Sequence, residues 1–313
     1  MSAIRAAESE QSKRAQFRFW RMTWNREWTT AYLFSFPVIA VLLGLVASPL
    51  ISSLWMSLTD LKVAGEGRFI GLGNYIRLFK MTNPPYLQVL WQTLFYTVVG
   101  VGAKLVIGLI TAVLINQNLP GKNVFRALLF VPWAVPMLIG ALAWRWMFSD
   151  VNGVLSIGLM RLGIVNQYIY WFTDGNLAMF AVMLVMIWGG APFFTMNFLA
   201  GMQAIPDELY EAAAIDGATG WQKLVNITLP GIRDVMTVTL LLSSIWTSST
   251  LQYVYVLTNG GPAYRTEIFP TLSLHITLGA RDLGLGAAAA LASVPFLLVL
   301  IFLLTPRMLK EQI

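Results

Sequence analysis

Pro206-Asp207-Glu208-Leu209-Tyr210-Glu211-Ala212-Ala213-Ala214-Ile215-Asp216-Gly217, followed after nine residues by Ile227-Thr228-Leu229-Pro230, is the most specific stretch of the chain. Pro206 and Asp207 start a helix whose acidic residues fall in its first turns, where the helix dipole favours them, and Gly217 supplies the conformation that ends it. A second helix is predicted to begin near Thr219, to carry Trp221, Leu224 and Val225 on one side, and to stop before Pro230. The product is a small helix-turn-helix. Alanines at 212–214 leave it slim enough to lie in a groove, with Glu211 placed to meet a basic partner at the rim.

Outside this stretch the chain is overwhelmingly apolar. Of 313 residues, 57% are hydrophobic and 12% charged, about half the charged share of a soluble domain. The apolar residues are gathered into runs long enough to cross a bilayer as helix. The first runs from Ala31 to about Met56, too long for the apolar region of a secretory signal, and is read as an uncleaved span. Others lie near 88–116, 124–148, 177–203, 235–257 and 284–304. The expectation is an all-α membrane protein of about six transmembrane helices, with both termini on one side. A segment at 1–29 and a tail at 307–313 flank a transmembrane domain at 30–306, which carries the loop at 204–232. Lys and Arg number twelve on the side that holds the termini and this loop, against seven on the other. The richer side is expected to be cytoplasmic.

What the chain lacks narrows its chemistry. It has no cysteine, which removes disulfides, zinc thiolates, iron–sulfur clusters and thiol nucleophiles. Its single histidine, His275, cannot build a multi-histidine metal site and reads as a solvated side chain, so no metal site is expected. The net charge of +6 is explained by lipid-facing basic residues without invoking nucleic acid. All Asp and Glu fall outside the predicted spans, leaving no carboxylate at membrane depth for proton coupling or hydrolysis. Two cations do lie within spans. Arg145, between Trp144 and Trp146, reads as an interfacial anchor. Lys104, near the middle of its span, reads as functional or paired inside the bundle. Pro37, Pro49, Pro132, Pro136, Pro192 and Pro295 are expected to kink their spans.

The helix-turn-helix resembles the EAA loop of binding-protein-dependent ABC importer permeases: E-A-A, three residues, G, nine residues, I-x-L-P. Every position of that pattern is matched. Phe69-Ile70-Gly71-Leu72-Gly73-Asn74-Tyr75 is similar to the outer-loop segment of carbohydrate permeases of this type, as is Phe125-Arg126-Ala127 leading into Pro132. Gln203-Ala204-Ile205-Pro206 and Thr258-Asn259-Gly260-Gly261-Pro262 are closest to the maltose-type subfamily. The chain departs from the larger maltose permease subunit, which has extra N-terminal spans and a large outer domain.

The resemblance implies a type I ABC importer permease in the inner membrane that moves a disaccharide or oligosaccharide. It implies as partners a second permease, two ATPase subunits and an extracytoplasmic solute-binding protein. ATPase coupling would rest on Glu211, Ala212, Ala213, Asp216, Gly217, Ile227, Leu229 and Pro230. The chain itself has no phosphate-binding P-loop, since Gly121-Lys122-Asn123 lacks both the preceding glycine and the following hydroxyl. ATP and Mg would be bound by the partner ATPase, leaving this chain neither catalyst nor cofactor holder.

A sugar pathway combines hydroxyls and amides with aromatic faces. The fourth span offers Trp188-Gly189-Gly190-Ala191-Pro192-Phe193, and the fifth places Ser243, Thr247 and Thr250 on one face beside Trp246. By resemblance, Gly190, Phe193, Ser243, Trp246, Thr247 and Thr250 match sugar contacts, and Trp188 joins them as a candidate. The same hydroxyls and glycines also suit simple helix packing. Other readings remain at this level: the same architecture carrying glycerol 3-phosphate or another polar metabolite, a secondary carrier, or a membrane scaffold.

Overall fold

The computed structural model describes residues 28–117 and 120–304. Residues 1–27 of the expected N-terminal segment and the whole tail at 307–313 lie outside the described residues. The elements are α1 (Trp28–Ser57), α2 (Gly73–Phe79), α3 (Tyr86–Asn116), α4 (Lys122–Ala134), α5 (Met137–Met147), α6 (Val154–Arg161) and α7 (Gly175–Gln203). There follow α8 (Asp207–Ile215), α9 (Gly220–Gly231), α10 (Arg233–Ser249), α11 (Gln252–Leu257), α12 (Phe269–Leu274), α13 (Leu283–Leu291) and α14 (Val294–Leu304).

Three helices, α1, α3 and α7, have 29 to 31 residues and are apolar enough to cross a membrane singly, and the pairs α4–α5 and α9–α10 qualify as bent spans. At 1.5 Å per residue the long ones reach about 45 Å, beyond the ~30 Å hydrocarbon core. The last predicted span, near 284–304, is represented by the shorter apolar stretch Leu283–Val299.

The chain divides between Trp55 and Met56 into two units. In the first, α1 widens into a π-turn at Leu42–Ala47, just before Pro49. The same device recurs in α9, where a π-turn at Leu224–Thr228 precedes Pro230. Proline lacks an N–H and its ring strikes the carbonyl four residues back, so the wider turn lets the helix pass. This corrects the expectation that the second short helix stops before Pro230: it continues to Gly231.

The second unit is organised on the pair α3 and α7, which pack together more extensively than any other two of its elements. Small residues allow this approach. Gly100 lies against Met186 and Gly108 against Phe194, where a Cβ would collide in both cases, the usual use of glycine between membrane helices. Core clusters form around Tyr96, Val182, Val185 and Tyr253; around Phe194, Phe198, Leu199 and Ile232; and around Leu78, Val89, Phe269 and Leu285.

Prolines and hydroxyls break the remaining spans. Val135, forced out of the helical region by Pro136, takes φ −72°, ψ 127°, and α4 and α5 meet at 93°. Pro192 stays inside an unbroken α7. The fifth predicted span, read as one run at 235–257, is discontinuous. It ends at Ser249, Thr250 is extended (φ −85°, ψ 119°), and α11 restarts at Gln252. A run of Ser and Thr weakens the helix there because each hydroxyl competes for nearby carbonyls: Ser249 donates to Ile245, and Thr250 to Trp246.

At the end of the unit remote from α8 and α9, buried Asn74 donates to the carbonyls of Ser57 (2.9 Å) and Thr59 (2.7 Å). Arg77 pairs with Asp282 at 2.8 Å, and Asp282 also caps α13 through Leu285 N. Within the segment Phe69 to Tyr75, Asn74 thus has a structural task. The interfacial anchor expected of Arg145 has a more specific contact: its guanidinium donates to the Val256 carbonyl, 2.8 Å away at the C-terminal end of α11, where a helix dipole welcomes a cation. His275 is not simply solvated, since its ring lies between Glu267 Oε1 (3.1 Å) and Asn259 Oδ1 (3.0 Å). The contact joins residues 8 and 16 positions away, which no local pattern announces.

Candidate functional site

Two sites stand out, one at the end of α7 and one inside the helix bundle. In the first, α8 begins with Asp207 and Glu208 in its first turn. It closes on Gly217 at φ +75°, where Gly217 N donates to Ala214 O (3.1 Å) and Ala218 N to Ala213 O (2.8 Å). These two bonds form a Schellman cap, which requires the left-handed residue that glycine supplies. Thr219 then opens α9 with a capping box: its Oγ1 accepts from Gln222 N, and Gln222 Oε1 accepts from Thr219 N at 2.7 Å. A bond of 3.0 Å between the Tyr210 and Thr228 hydroxyls ties the two helices together. Gly231 packs so closely on Ile205 that a Cβ would come within 2.6 Å.

This loop turns apolar side chains outward. Ile215 is 88% exposed and Trp221 72%, with Leu209 and Val225 also exposed. Glu211, Ala212, Asp216, Gly217 and Pro230 are exposed, while Ala213, Ile227 and Leu229 are half-buried against the fold. The loop bends by 67° into α10.

The second site is a cavity of about 500 Å³ between α3, the α4–α5 bend, α7 and α10. Gly190, Phe193, Ser243, Trp246, Thr247 and Thr250 all line it. Phe193 and Trp246 set their rings 5.1 Å apart, forming an aromatic corner beside buried Ser243 and Thr247. Trp188 is directed elsewhere. It packs edge-on to Trp144 with ring centres 5.5 Å apart, and lines a larger, mostly apolar cavity with Phe95, Phe180 and Pro192.

Gly189, from the stretch offered by the fourth span, and Tyr253 also line this cavity, together with Tyr96, Trp133 and Met137, which no sequence pattern marked as pathway residues. The bend at Pro136 brings Trp133 and Met137 to the wall, and the break at Thr250 turns Tyr253 back toward Gly189, on which its hydroxyl rests. A conspicuous Pro-x-x-x-Pro (132–136) was the one signal available for the first pair. Lys104 also lines the cavity, 5% exposed, and donates from Nζ to Thr247 Oγ1 at 3.0 Å. Among the described residues no group of His, Cys, Asp and Glu is arranged to hold a metal ion.

Residues 104–306 match the family model described as binding-protein-dependent transport system inner membrane component. The chain is 35% identical over 283 residues to the trehalose/maltose transport system permease protein MalF of Thermococcus litoralis, covering 88% of this chain and 92% of that protein. It is 34% identical over 257 residues to the sulfoquinovosyl glycerol transport system permease protein SmoG of Agrobacterium fabrum, covering 80% and 81%. Its fold is similar to a chain in the crystal structure of a bacterial ABC transporter involved in the import of the acidic polysaccharide alginate, with TM-score 0.78 at 21% identity, covering 94% of this chain and 100% of that one.

Proposed function

The chain belongs to the inner-membrane components of binding-protein-dependent transport systems, and from that premise we propose that it forms one half of the pore of an ATP-driven sugar importer. The observation that carries this reading is a mechanical continuity. The exposed helix-turn-helix of α8 and α9 runs, through one bend, into the helix that lines the cavity with Ser243, Trp246 and Thr247. In this reading a force applied to the loop reaches the pocket through the 67° bend at Ile232 and along α10.

Each part has a task in this mechanism. Ile215 and Trp221 give the loop an apolar face for a groove on the ATPase, and Glu211 offers a charge at its rim. The groove closes when two ATPase subunits bind ATP and Mg between them, and this chain contributes no catalytic group. α10 then swings against α3 and α7, opening the cavity to the side from which a solute-binding protein delivers cargo. Phe193 and Trp246 take a sugar face, and Ser243, Thr247 and Thr250 take its hydroxyls. A second, non-identical permease closes the other wall. The loop, both chain ends and the basic majority face the cytoplasm. Relatives named for trehalose/maltose and sulfoquinovosyl glycerol transport support a glycosidic cargo.

Reconstituted vesicles holding the complete complex test the proposal. Uptake of labelled disaccharide is expected only with both ATP and the binding protein. Uptake driven by an ion gradient without ATP would instead mark a secondary carrier.

A further inference from the structure

One charged side chain in the cavity is not absorbed by a neutral-sugar reading. Lys104 sits near the middle of α3, and its chain lies over Gly190, where a Cβ would come within 2.7 Å of Cε and 3.0 Å of Nζ. The glycine therefore makes room for the lysine. An ammonium carries three donors, and among the described residues Nζ has a single hydrogen-bond partner, Thr247 Oγ1. The other polar side-chain groups around the cavity are the hydroxyls of Tyr96, Ser243, Thr250 and Tyr253 and the indole N–H groups of Trp133 and Trp246, and among the described residues no carboxylate lines it. The Tyr96 hydroxyl is likewise buried with no hydrogen-bond partner among the described residues. It lies two helical turns before Lys104 on α3, so both donors belong to one wall.

An ammonium buried without a counter-charge is costly, and at membrane depth more so, so the charged form of Lys104 is favoured when an anion faces it. A methionine would fill the same volume at no such cost. We infer that the missing negative charge arrives with the cargo: the cavity takes a sugar bearing an anionic substituent, and Lys104 is the residue that selects it. The inference rests on the reading of this cavity as a sugar pathway. The shared chemistry is a carboxylate, sulfonate or phosphate on a sugar ring, held by Lys104 and Tyr96 while Phe193 and Trp246 carry the ring face.

The test uses vesicles containing the full complex and its binding protein, offered maltose and cellobiose together with their 6-carboxylate, 6-sulfonate and 6-phosphate counterparts. Wild type is expected to take up at least one acidic form about tenfold or more faster than its neutral parent, and the preferred arm names the anion. Lys104→Gln should remove that preference, and Lys104→Arg should restore most of it, with assembly of each variant checked by co-purification. Because the binding protein also selects, the change between variants carries the conclusion. Equal uptake of acidic and neutral forms by wild type overturns the inference and leaves sugar import intact. So does a Lys104→Gln complex that loses both alike, or a carboxylate of the companion permease found paired with Nζ. Failure of wild type to move any sugar removes the sugar reading itself.

Discussion

The loop at 207–231 and the cavity at Lys104 are built on opposite principles. The loop is local: a Schellman cap, a capping box and a Tyr210–Thr228 bond hold it, all within 25 residues. Its chemistry faces outward in Ile215 and Trp221. The cavity is assembled from four segments spanning residues 96 to 253, and its polar groups face inward. A local device tolerates little change in sequence, because each residue has one conformational task. An assembled cavity spreads its task over many side chains, so single changes there should tune function instead of abolishing it.

The sharpest way to break this contrast is at Gly217. Placing a β-branched side chain at φ +75° costs about 1–2 kcal/mol and unseats the turn between the helices. Gly217→Val is expected to reduce uptake to background while the chain still inserts and binds its companion. Transport at wild-type rate would show that the cap has no mechanical role. Trp246→Ala should have a smaller effect on a different quantity, raising the half-saturating cargo concentration about tenfold and leaving ATP-dependent coupling in place. Loss of coupling in that variant would mean that the two regions are not separable.

Smaller effects refine the comparison. Tyr210→Phe deletes the 3.0 Å bond to Thr228 and should cost about 1 kcal/mol of local stability, read as faster hydrogen exchange confined to α8 and α9. The smallest change concerns the segment outside the apolar helices, at the end remote from the loop. Burial raises the Glu267 carboxyl above its ordinary value of 4.5, outweighing the opposing pull of His275. A carboxyl raised on folding holds its proton more tightly when folded. Its contribution is therefore whole below pH ~4.5 and is lost as pH rises through the folded value. Glu267→Gln, which keeps the shape beside Gly260, should flatten that part of the melting-temperature profile of the purified complex.

Much of the architecture was legible in the sequence because bilayer thickness and helix rise turn apolar run length directly into spans. The loop was legible because caps are short-range: Asp207, Gly217 and Thr219 each act within a turn of their own position. Where reading failed, the cause was a contact or a break invisible at that range. A single apolar run at 235–257 concealed the break at Thr250, since hydropathy does not register hydroxyls competing for carbonyls. Pro230 signalled a stop that the π-turn at Leu224–Thr228 removed. Trp188, two residues from Gly190, turned to a different cavity because neighbouring positions on a helix point about 100° apart per residue.

By itself, then, the amino-acid order determined the apolar helical class, the short paired helices and the family, because apolar length, capping residues and motif spacing all act within a few turns. Only the tertiary structure decided that Lys104 meets Thr247 across 143 positions, that Trp133 and Tyr253 join the cavity wall, and that the loop feeds directly into the helix that lines it. Those relations depend on the angle at Pro136, the interruption at Thr250 and the close approach of α3 to α7, and no local pattern encodes where separate helices come together.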